Sequence, residues 1–482
     1  MTRHDIGRAD FLRDELRAAD FNDERLTRRL SAIATSLAAD PSSSFPEAAA
    51  DDAALEGTYR FFNNPKVTPE RCLGPHVRRT IERAAVLRRV FVVHDTSQFN
   101  FGLFPRKGLG RVGRGRSYGF FGHFALAVAA DGSRLPLGVL GLHTLSRTEK
   151  AKRLKHGKNQ ENPDNSSLRW RALFDETNAA LAGKASAVHV MDREGDNYAL
   201  FSHMVAAEAR FVVRLATDRR LPRPPNQDTD GEHTTVTSAM RDAPVLAERE
   251  VPLATRRRQQ MPSTRKRHPA RISRVAKLQV SAGQVTIPRP VTSNRSPHAQ
   301  LTLNLVHVAE VDTPPNSEPV EWWLWTNESV ATTDDVLAVV DTYRARWVIE
   351  EFFKSLKTGC SIEKRQLESG AALLNALAVL ASVAWRLLAL RTLARDASDA
   401  PAATALTSVQ VKCLRFAYKK RRKRELPESL TVREAMLAVA ALGGHLVSNG
   451  DPGWQVLGRG FEKLLSIEEG YFLALETARG EM

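Results

Sequence analysis

The period of the apolar positions changes along the chain, and with it the predicted structure. From Glu24 to Ala39, Leu26, Leu30, Ile33 and Leu37 recur at helical spacing with Arg25, Arg28 and Arg29 beside them. Asp40-Pro41-Ser42-Ser43-Ser44 breaks this pattern, and a second helix is predicted through Glu47 to Phe62, ended by Asn63-Asn64-Pro65. Residues 1 to about 72 thus read as a small helical module. Its arginines suit duplex binding, and a plain helical hairpin fits this segment alone equally well.

From about residue 85 the texture shifts to short β-branched runs. Val90-Phe91-Val92-Val93 ends at His94-Asp95, and Phe124 to Ala129 and Leu137 to Leu142 follow. Ala187 to Met191 ends at Asp192, and Phe211 to Arg214 comes next. Helical stretches separate the later runs, which is the pattern of a mixed α/β sheet. Residues 217 to about 325 interrupt it with β-rich, proline-rich and basic sequence. Arg256, Arg257, Arg258, Arg265, Lys266, Arg267, Arg271, Arg274 and Lys277 crowd one part of that segment, as a solvated loop or a phosphate-contacting arm would.

A long helix is predicted around residues 335 to 358, and 366 to 482 reads as helical. The basic run Lys419 to Arg424 is placed between elements as a solvated or DNA-facing loop. Ala371 to Trp385 is the most apolar stretch, but at about fifteen residues with Asn375 and Ser382 inside it is short of the roughly twenty a membrane span needs, so it reads as a buried helix. No internal repeat of fixed period is found.

Composition narrows the classes. The chain has 482 residues, 42% hydrophobic and 26% charged, which fits a soluble globular protein of several domains and excludes a disordered or collagen-like one. Lysine plus arginine number 70 against 55 acids, a net charge of +15 that points to a polyanionic partner. Cys72, Cys360 and Cys413 are far apart and odd in number, which argues against a disulfide framework or zinc ribbon and fits a reducing cytosol. The N-terminus is too charged for a signal peptide, and no membrane partner is expected.

Candidate chemistry gathers at three acids. Asp95 and Asp192 each follow an apolar run, where a carboxylate points into the usual ligand crevice of an open α/β sheet. Each alone also fits a turn or cap. On the helix after the insertion, Tyr343, Arg346, Glu350, Lys354 and Lys357 fall within an arc of roughly 80°, with Glu351 about 100° away from Glu350. Ala345, Val348, Ile349, Phe352 and Leu356 form the adjoining face that would pack on the sheet. The polar stripe fits either a salt-bridged surface helix or a site where cations hold phosphates and the acid holds a metal. Three converging carboxylates make an oxygen-only site suited to two Mg²⁺ ions. The histidines show no zinc spacing, and His94 and His189 read as strand residues.

These residues resemble a family. Val93-His94-Asp95-Thr96-Ser97, Met191-Asp192-Arg193-Glu194 and the Tyr343, Arg346, Glu350, Lys357 signature are similar to the DDE transposases of the insertion-sequence-four family, to which the Tn-five enzyme belongs. Glu56-Gly57-Thr58-Tyr59-Arg60-Phe61 and Ala441-Leu442-Gly443-Gly444 extend the likeness over nearly the whole chain.

The resemblance implies an α/β, RNase H-like catalytic core over 73–370 with a β-rich insertion, after an N-terminal helical DNA-binding domain over 1–72 and before a helical dimerisation domain over 371–482. It implies Asp95, Asp192 and Glu350 as catalytic metal ligands, two Mg²⁺ per site with Mn²⁺ as substitute, and cleavage of transposon ends followed by joining to target DNA. In the Tn-five type a DNA hairpin is the intermediate. Tyr343, Arg346, Lys354 and Lys357 match residues that grip a hairpin phosphate. Trp322 matches the tryptophan that receives a flipped base, and Arg214 and Trp347 match positions near the hairpin. Arg28, Arg29 and Arg60 are the N-terminal candidates for DNA contact.

The partners implied are terminal inverted repeats, target DNA and a second copy of the chain, in the bacterial cytoplasm at the nucleoid. A catalytically silent DNA-binding regulator and a structure-specific nuclease on the same core are the rival readings. The loop Lys107 to Arg116 lacks the phosphate-cradle pattern and reads as a basic loop along DNA or a mobile hairpin tip, with Arg111, Arg114 and Arg116 in it. Leu457, Phe461, Leu464, Leu465, Phe472 and Leu475 form a C-terminal apolar stripe, by default a core helix.

Overall fold

The structure is a computed structural model and describes residues 11–113, 117–146, 166–222, 234–253, 272–315, 317–396, 399–446 and 452–479. Arg114, Arg116 and the arginine-rich run from Arg256 to Arg271 lie outside the described residues.

Among the described residues five helices come first: α1 (Phe11–Leu16), α2 (Glu24–Ala39), α3 (Phe45–Ala48), α4 (Asp52–Phe62) and α5 (Pro69–Leu87). The helix expected over Glu47 to Phe62 is split because Asp51 is extended and starts α4 afresh, its carboxylate accepting from Ala54 N at 2.7 Å. Thr68 caps α5 in the same way, and that helix runs straight across the expected boundary at 72.

One ten-stranded sheet follows. Its strands are β1 (Arg89–Asn100), β2 (Gly110–Arg111), β3 (Tyr118–Ala129), β4 (Pro136–Leu145), β5 (Ser186–Met191), β6 (Arg210–Arg214), β7 (Val245–Leu253), β8 (Arg274–Pro288), β9 (Gln300–Val311) and β10 (Glu321–Thr326). Their order is β2-β3-β1-β5-β6-β10-β9-β8-β7, with β4 paired to β3. β1, β5 and β6 are parallel, and β10 returns antiparallel to β6. The insertion therefore does not stand apart from the core. It prolongs the same sheet, which satisfies the exposed edge of β6. α6 (Ser166–Leu181) and α7 (Tyr198–Ala206) lie between β4, β5 and β6 in the chain.

The helix expected over 335–358 is three pieces: α8 (Thr333–Arg344), α9 (Trp347–Lys354) and a π turn over Ser355–Gly359. At the first break Arg346 N bonds to Tyr343 O at 3.0 Å and Ile349 N to Arg346 O at 3.1 Å, three-residue spacings tighter than an α-helix. Behind them runs α10 (Gly370–Asp396), then α11 (Ser408–Arg422), α12 (Val432–Leu442) and α13 (Trp454–Arg479).

α10 is long and apolar enough to cross a membrane, yet 94% of its apolar window is buried within the protein. Asn375 donates to the carbonyls of Phe62 and Val67, both at 3.0 Å, and Trp385 to that of Pro136 at 2.9 Å. One helix thus anchors the N-terminal helices and the sheet together. The expected boundary at 371 falls at the start of this shared core element.

A buried charge cluster ties α1 to α5. Glu15 accepts from Arg83 Nη2 at 2.7 Å and Nη1 at 3.0 Å, and meets His76 Nδ1 at 2.7 Å. His76 Nε2 accepts from Val139 N at 2.9 Å, so the ring proton sits on Nδ1 and donates to Glu15. The imidazole is neutral, in line with the lowering of its pKa by burial, and Arg83 balances the carboxylate charge.

The basic run Lys419 to Arg424 is not a loop between elements. Its first four residues form the last turn of α11, where cations offset the helix dipole. The C-terminal stripe divides: Leu457, Phe461 and Leu464 are buried, while Phe472 is 46% exposed. α12 and α13 meet through glycines. A Cβ on Gly460 would stand 2.0 Å from Val439 O, and one on Gly443 would stand 1.9 Å from Val456 O. Because the obstacle is backbone, the helices must separate. Gly460→Ala is expected to cost at least about 1–3 kcal/mol, read as a lower midpoint in chemical denaturation. Gly458→Ala, inside the same helix, meets open space and is the control that should raise the midpoint slightly, by about 0.5–1 kcal/mol of helix preference for alanine.

Candidate active site

The site begins with strand register. β1 and β5 pair in parallel from Arg89↔Ser186 to Val93↔Val190, and the same offset carries Asp95 level with Asp192. Asp95 is not at the end of its strand, as its sequence neighbours imply. β1 continues against β3 to Asn100, and Asp95 stands where the parallel neighbour stops. Asp192 follows β5 directly and caps a short turn, its Oδ1 accepting from Glu194 N at 2.9 Å.

Alternation along β1 turns Asp95 to the face of its register partner Phe124, whose ring packs against Phe352 and Phe353 of α9 at 5.3 and 5.7 Å. That face therefore looks towards Glu350. Arg346 joins them: its Nη1 donates to Asp95 Oδ2 at 3.1 Å, and its Nη2 forms a short bond to Glu350 Oε1. Asp95 Oδ1 accepts from Thr96 N at 2.7 Å. Burial, followed by the charge of Asp192, pushes the Asp95 carboxyl up to about 7, with Glu350 adding to the rise and Arg346 and Thr96 N opposing it.

Among the described residues no three His, Cys, Asp or Glu side chains converge on a common metal position. A guanidinium stands between two of the acids instead. A cation held by carboxylate oxygens is the chemistry that a hard divalent ion would also use. The donor set therefore fits such an ion.

The other expected residues are placed unevenly. Tyr343, expected to reach a phosphate, is 2% exposed, its ring 5.6 Å from that of half-buried Trp322. Trp347 is 53% exposed, with Arg346 Cζ 5.3 Å from its ring centre. Lys354 is paired with Glu351 at 2.5 Å and leaves the stripe that the helical wheel predicts, because Glu351 also takes Arg391. Lys357, on the π turn, donates to Gln98 O at 2.5 Å and so lies against the far end of β1. Arg214 donates to Glu321 O at 3.2 Å. In the N-terminal helices Arg28 is exposed, Arg29 lies across Gly57, and Arg60 pairs with Glu56. The fold thus gathers Asp95, Asp192, Glu350, Arg346 and Trp347, and leaves Arg28, Arg29 and Arg60 in a separate helical layer.

On the opposite face the sequence reading overlooks a buried histidine group. His94 and His189 share a hydrogen bond of 3.0 Å, and His123 bonds Thr96 at 3.0 Å with its ring 4.3 Å from that of Trp170. Burial holds all three pKa values down, His189 to about 3, so the rings are neutral. The His94–His189 bond fastens β1 to β5 just behind the acids. Histidine at alternate inward positions of two adjacent strands is the signal that marks it.

Asp95 and Glu350, joined by Arg346, with Asp192 level on the neighbouring strand, give the ends of the parallel strands a group of carboxylates. Residues 8–67 match a family described as transposase DNA-binding, and residues 147–386 one described as transposase DDE domain. The chain therefore carries a transposase DNA-binding domain and an RNase H-like DDE transposase domain, a nuclease and transposase class of enzyme that generally uses divalent metals. Asp192 and Glu350 lie inside the second match, and Asp95 precedes it. Among solved structures the chain is similar to a piggyBac transposase synaptic complex with hairpin DNA. The identity is 10%, over 82% of this chain and 75% of that one, with a TM-score of 0.35, too low to transfer any residue's role.

Proposed function

We propose that the protein is a cut-and-paste transposase of the insertion-sequence-four type. It cleaves transposon ends through a DNA hairpin and joins the 3′ ends to target DNA, as a homodimer on paired ends in the bacterial cytoplasm. The observation that carries this reading is the joining of Asp95, level with Asp192 on the neighbouring strand, to Glu350 through Arg346. Asp95, Asp192 and Glu350 would hold two Mg²⁺ ions, with Mn²⁺ as a substitute, and such ions activate an attacking water or 3′-hydroxyl and stabilise the departing oxygen.

The chain's own groups do the rest. Arg346 and Lys357 carry positive charge beside β1 for the scissile phosphate, Arg346 as a fork and Lys357 as a point charge. Trp347 and Trp322 offer aromatic faces to an unstacked base, which offset its lost stacking by about 1–3 kcal/mol. Tyr343 supports Trp322 from below, and Lys354 is free to exchange Glu351 for phosphate. Arg214 lies near the hairpin, and Arg28, Arg29 and Arg60 hold duplex at a distance from the chemistry.

The test is incubation with terminal inverted-repeat duplex and Mg²⁺ or Mn²⁺. Nicks, then hairpins, then joined products are expected. Binding without nicks would leave a silent regulator, and cutting without joining would leave a nuclease. Affinity for the duplex should fall roughly a thousandfold or more between about 50 and 200 mM salt if six to ten phosphates are neutralised, as measured by fluorescence anisotropy.

The Asp95 carboxyl at about 7 gives a pH signature. Below that pH a proton competes with metal, and above it the carboxylate carries its charge. Mn²⁺ affinity should fall about tenfold per pH unit below 7 and level off above it. Titrations from pH 5.5 to 8.5 check this, and a flat profile would remove Asp95 from the ligand set.

A further inference from the structure

Arg346 stands where the cations of the proposed site belong. One planar guanidinium spans two acids from different elements, with Nη1 on Asp95 Oδ2 at 3.1 Å and Nη2 on Glu350 Oε1. The side chain is buried, at 7% exposure for the residue, so water screens these pairs little. Burial opposes its charge, but Tyr343, Glu350 and Asp95 more than offset that and raise its pKa, so the arginine stays cationic. With the guanidinium interposed, the acids do not converge on a metal position among the described residues.

Two further features leave this contact incompletely held. The buried Nε of Arg346 has no hydrogen-bond partner, so the resting contact leaves that donor unused. The residue also sits at the break between α8 and α9, where the hydrogen-bond pattern tightens, and Trp347 beside it is exposed. The guanidinium already has its Cζ 5.3 Å from the ring centre of Trp347, so an outward move along that face keeps an aromatic neighbour while it gives up the two carboxylates.

We infer that Arg346 is an interlock between DNA and metal, an inference that rests on the three acids being the metal site. In the free protein its guanidinium is the internal counter-cation of Asp95 and Glu350 and keeps divalent ions out. A DNA phosphate draws the guanidinium away, and the released carboxylates then accept metal. DNA and metal binding are therefore coupled, each strengthening the other. The device withholds the nucleolytic state from protein that has not bound DNA.

The experiment is Mn²⁺ binding to the full chain, followed by electron paramagnetic resonance of free Mn²⁺, with and without a hairpin oligonucleotide at low salt. Wild type is expected to bind weakly without DNA and at least tenfold more tightly with it. Arg346→Gln is expected to bind tightly without DNA, and the hairpin should add little. Arg346→Lys, which keeps a charge but reaches only one carboxylate, should fall between them and serves if the glutamine variant does not fold. Equal Mn²⁺ affinity of wild type and both variants without DNA would overturn the interlock. If Asp192→Ala removes the Mn²⁺ binding that DNA promotes, the metal site stands even where the interlock fails. If Asp192→Ala leaves every Mn²⁺ affinity unchanged, the reading of the three acids falls, and the interlock with it.

Discussion

Asp192→Ala is expected to slow strand cleavage by about a thousandfold or more while DNA affinity changes by no more than about threefold. A loss of that size is about 4 kcal/mol of transition-state stabilisation, the order expected when a site loses a carboxylate that holds its metal. The fold has little at stake in this side chain. Asp192 is half-buried after β5, and it accepts from the Glu194 amide of its own turn. Single-turnover cleavage of a labelled end duplex, beside anisotropy with the same duplex, separates chemistry from binding. Cleavage within tenfold of wild type would remove Asp192 from the machinery.

Glu15→Ala is the largest expected effect away from the site, a loss of about 3–5 kcal/mol of folding stability. Glu15 is 4% exposed, and its removal takes two charge-assisted hydrogen bonds from the buried Arg83 guanidinium beside Trp385 and one from His76. Burial alone would raise the Glu15 pKa, but His76 and Arg83 more than offset this and hold it at about 2, against an ordinary value of 4.5. The native state therefore binds the proton more weakly than the unfolded state. The contribution is complete above pH 4.5 and fades as pH falls from 4.5 towards 2. Urea denaturation of wild type and variant at pH 7 and pH 3 checks both parts. The gap between the two proteins should be wide at neutral pH and narrower in acid.

Much of the sheet is legible in the sequence because its central strands are short β-branched runs, and α2 ends where its apolar period ends. The extension of β1 is hidden. Thr96, Ser97 and Gln98 look like a polar loop, but they pair with His123, Gly122 and Phe121 of β3. The break at Arg346 is equally hidden, because the helical period of the side chains continues through it. Only the anchoring of that arginine between two distant acids marks it. The angular step separates Glu350 from Glu351 correctly, since Glu351 faces Lys354 and Arg391. It fails for Tyr343, because α8 and α9 are not one continuous helix and the wheel holds only within each, and Lys354, although in α9 with Glu350, turns to Glu351 instead. Lys419 to Arg422 mislead by charge alone. A basic run reads as a loop unless the buried Cys413, Leu414 and Ala417 before it are recognised as the face of a helix.

The central claim, that Asp95, Asp192 and Glu350 form one cation site, is tested most directly by iron-directed backbone cleavage of the hairpin-bound protein. Fe²⁺ held at the site and reacted with ascorbate and peroxide cuts the polypeptide near its ligands. Three clustered breaks, near residues 95, 192 and 350, are predicted, all suppressed by excess Mg²⁺. Breaks that avoid any one of these segments, or that Mg²⁺ does not suppress, would contradict the account.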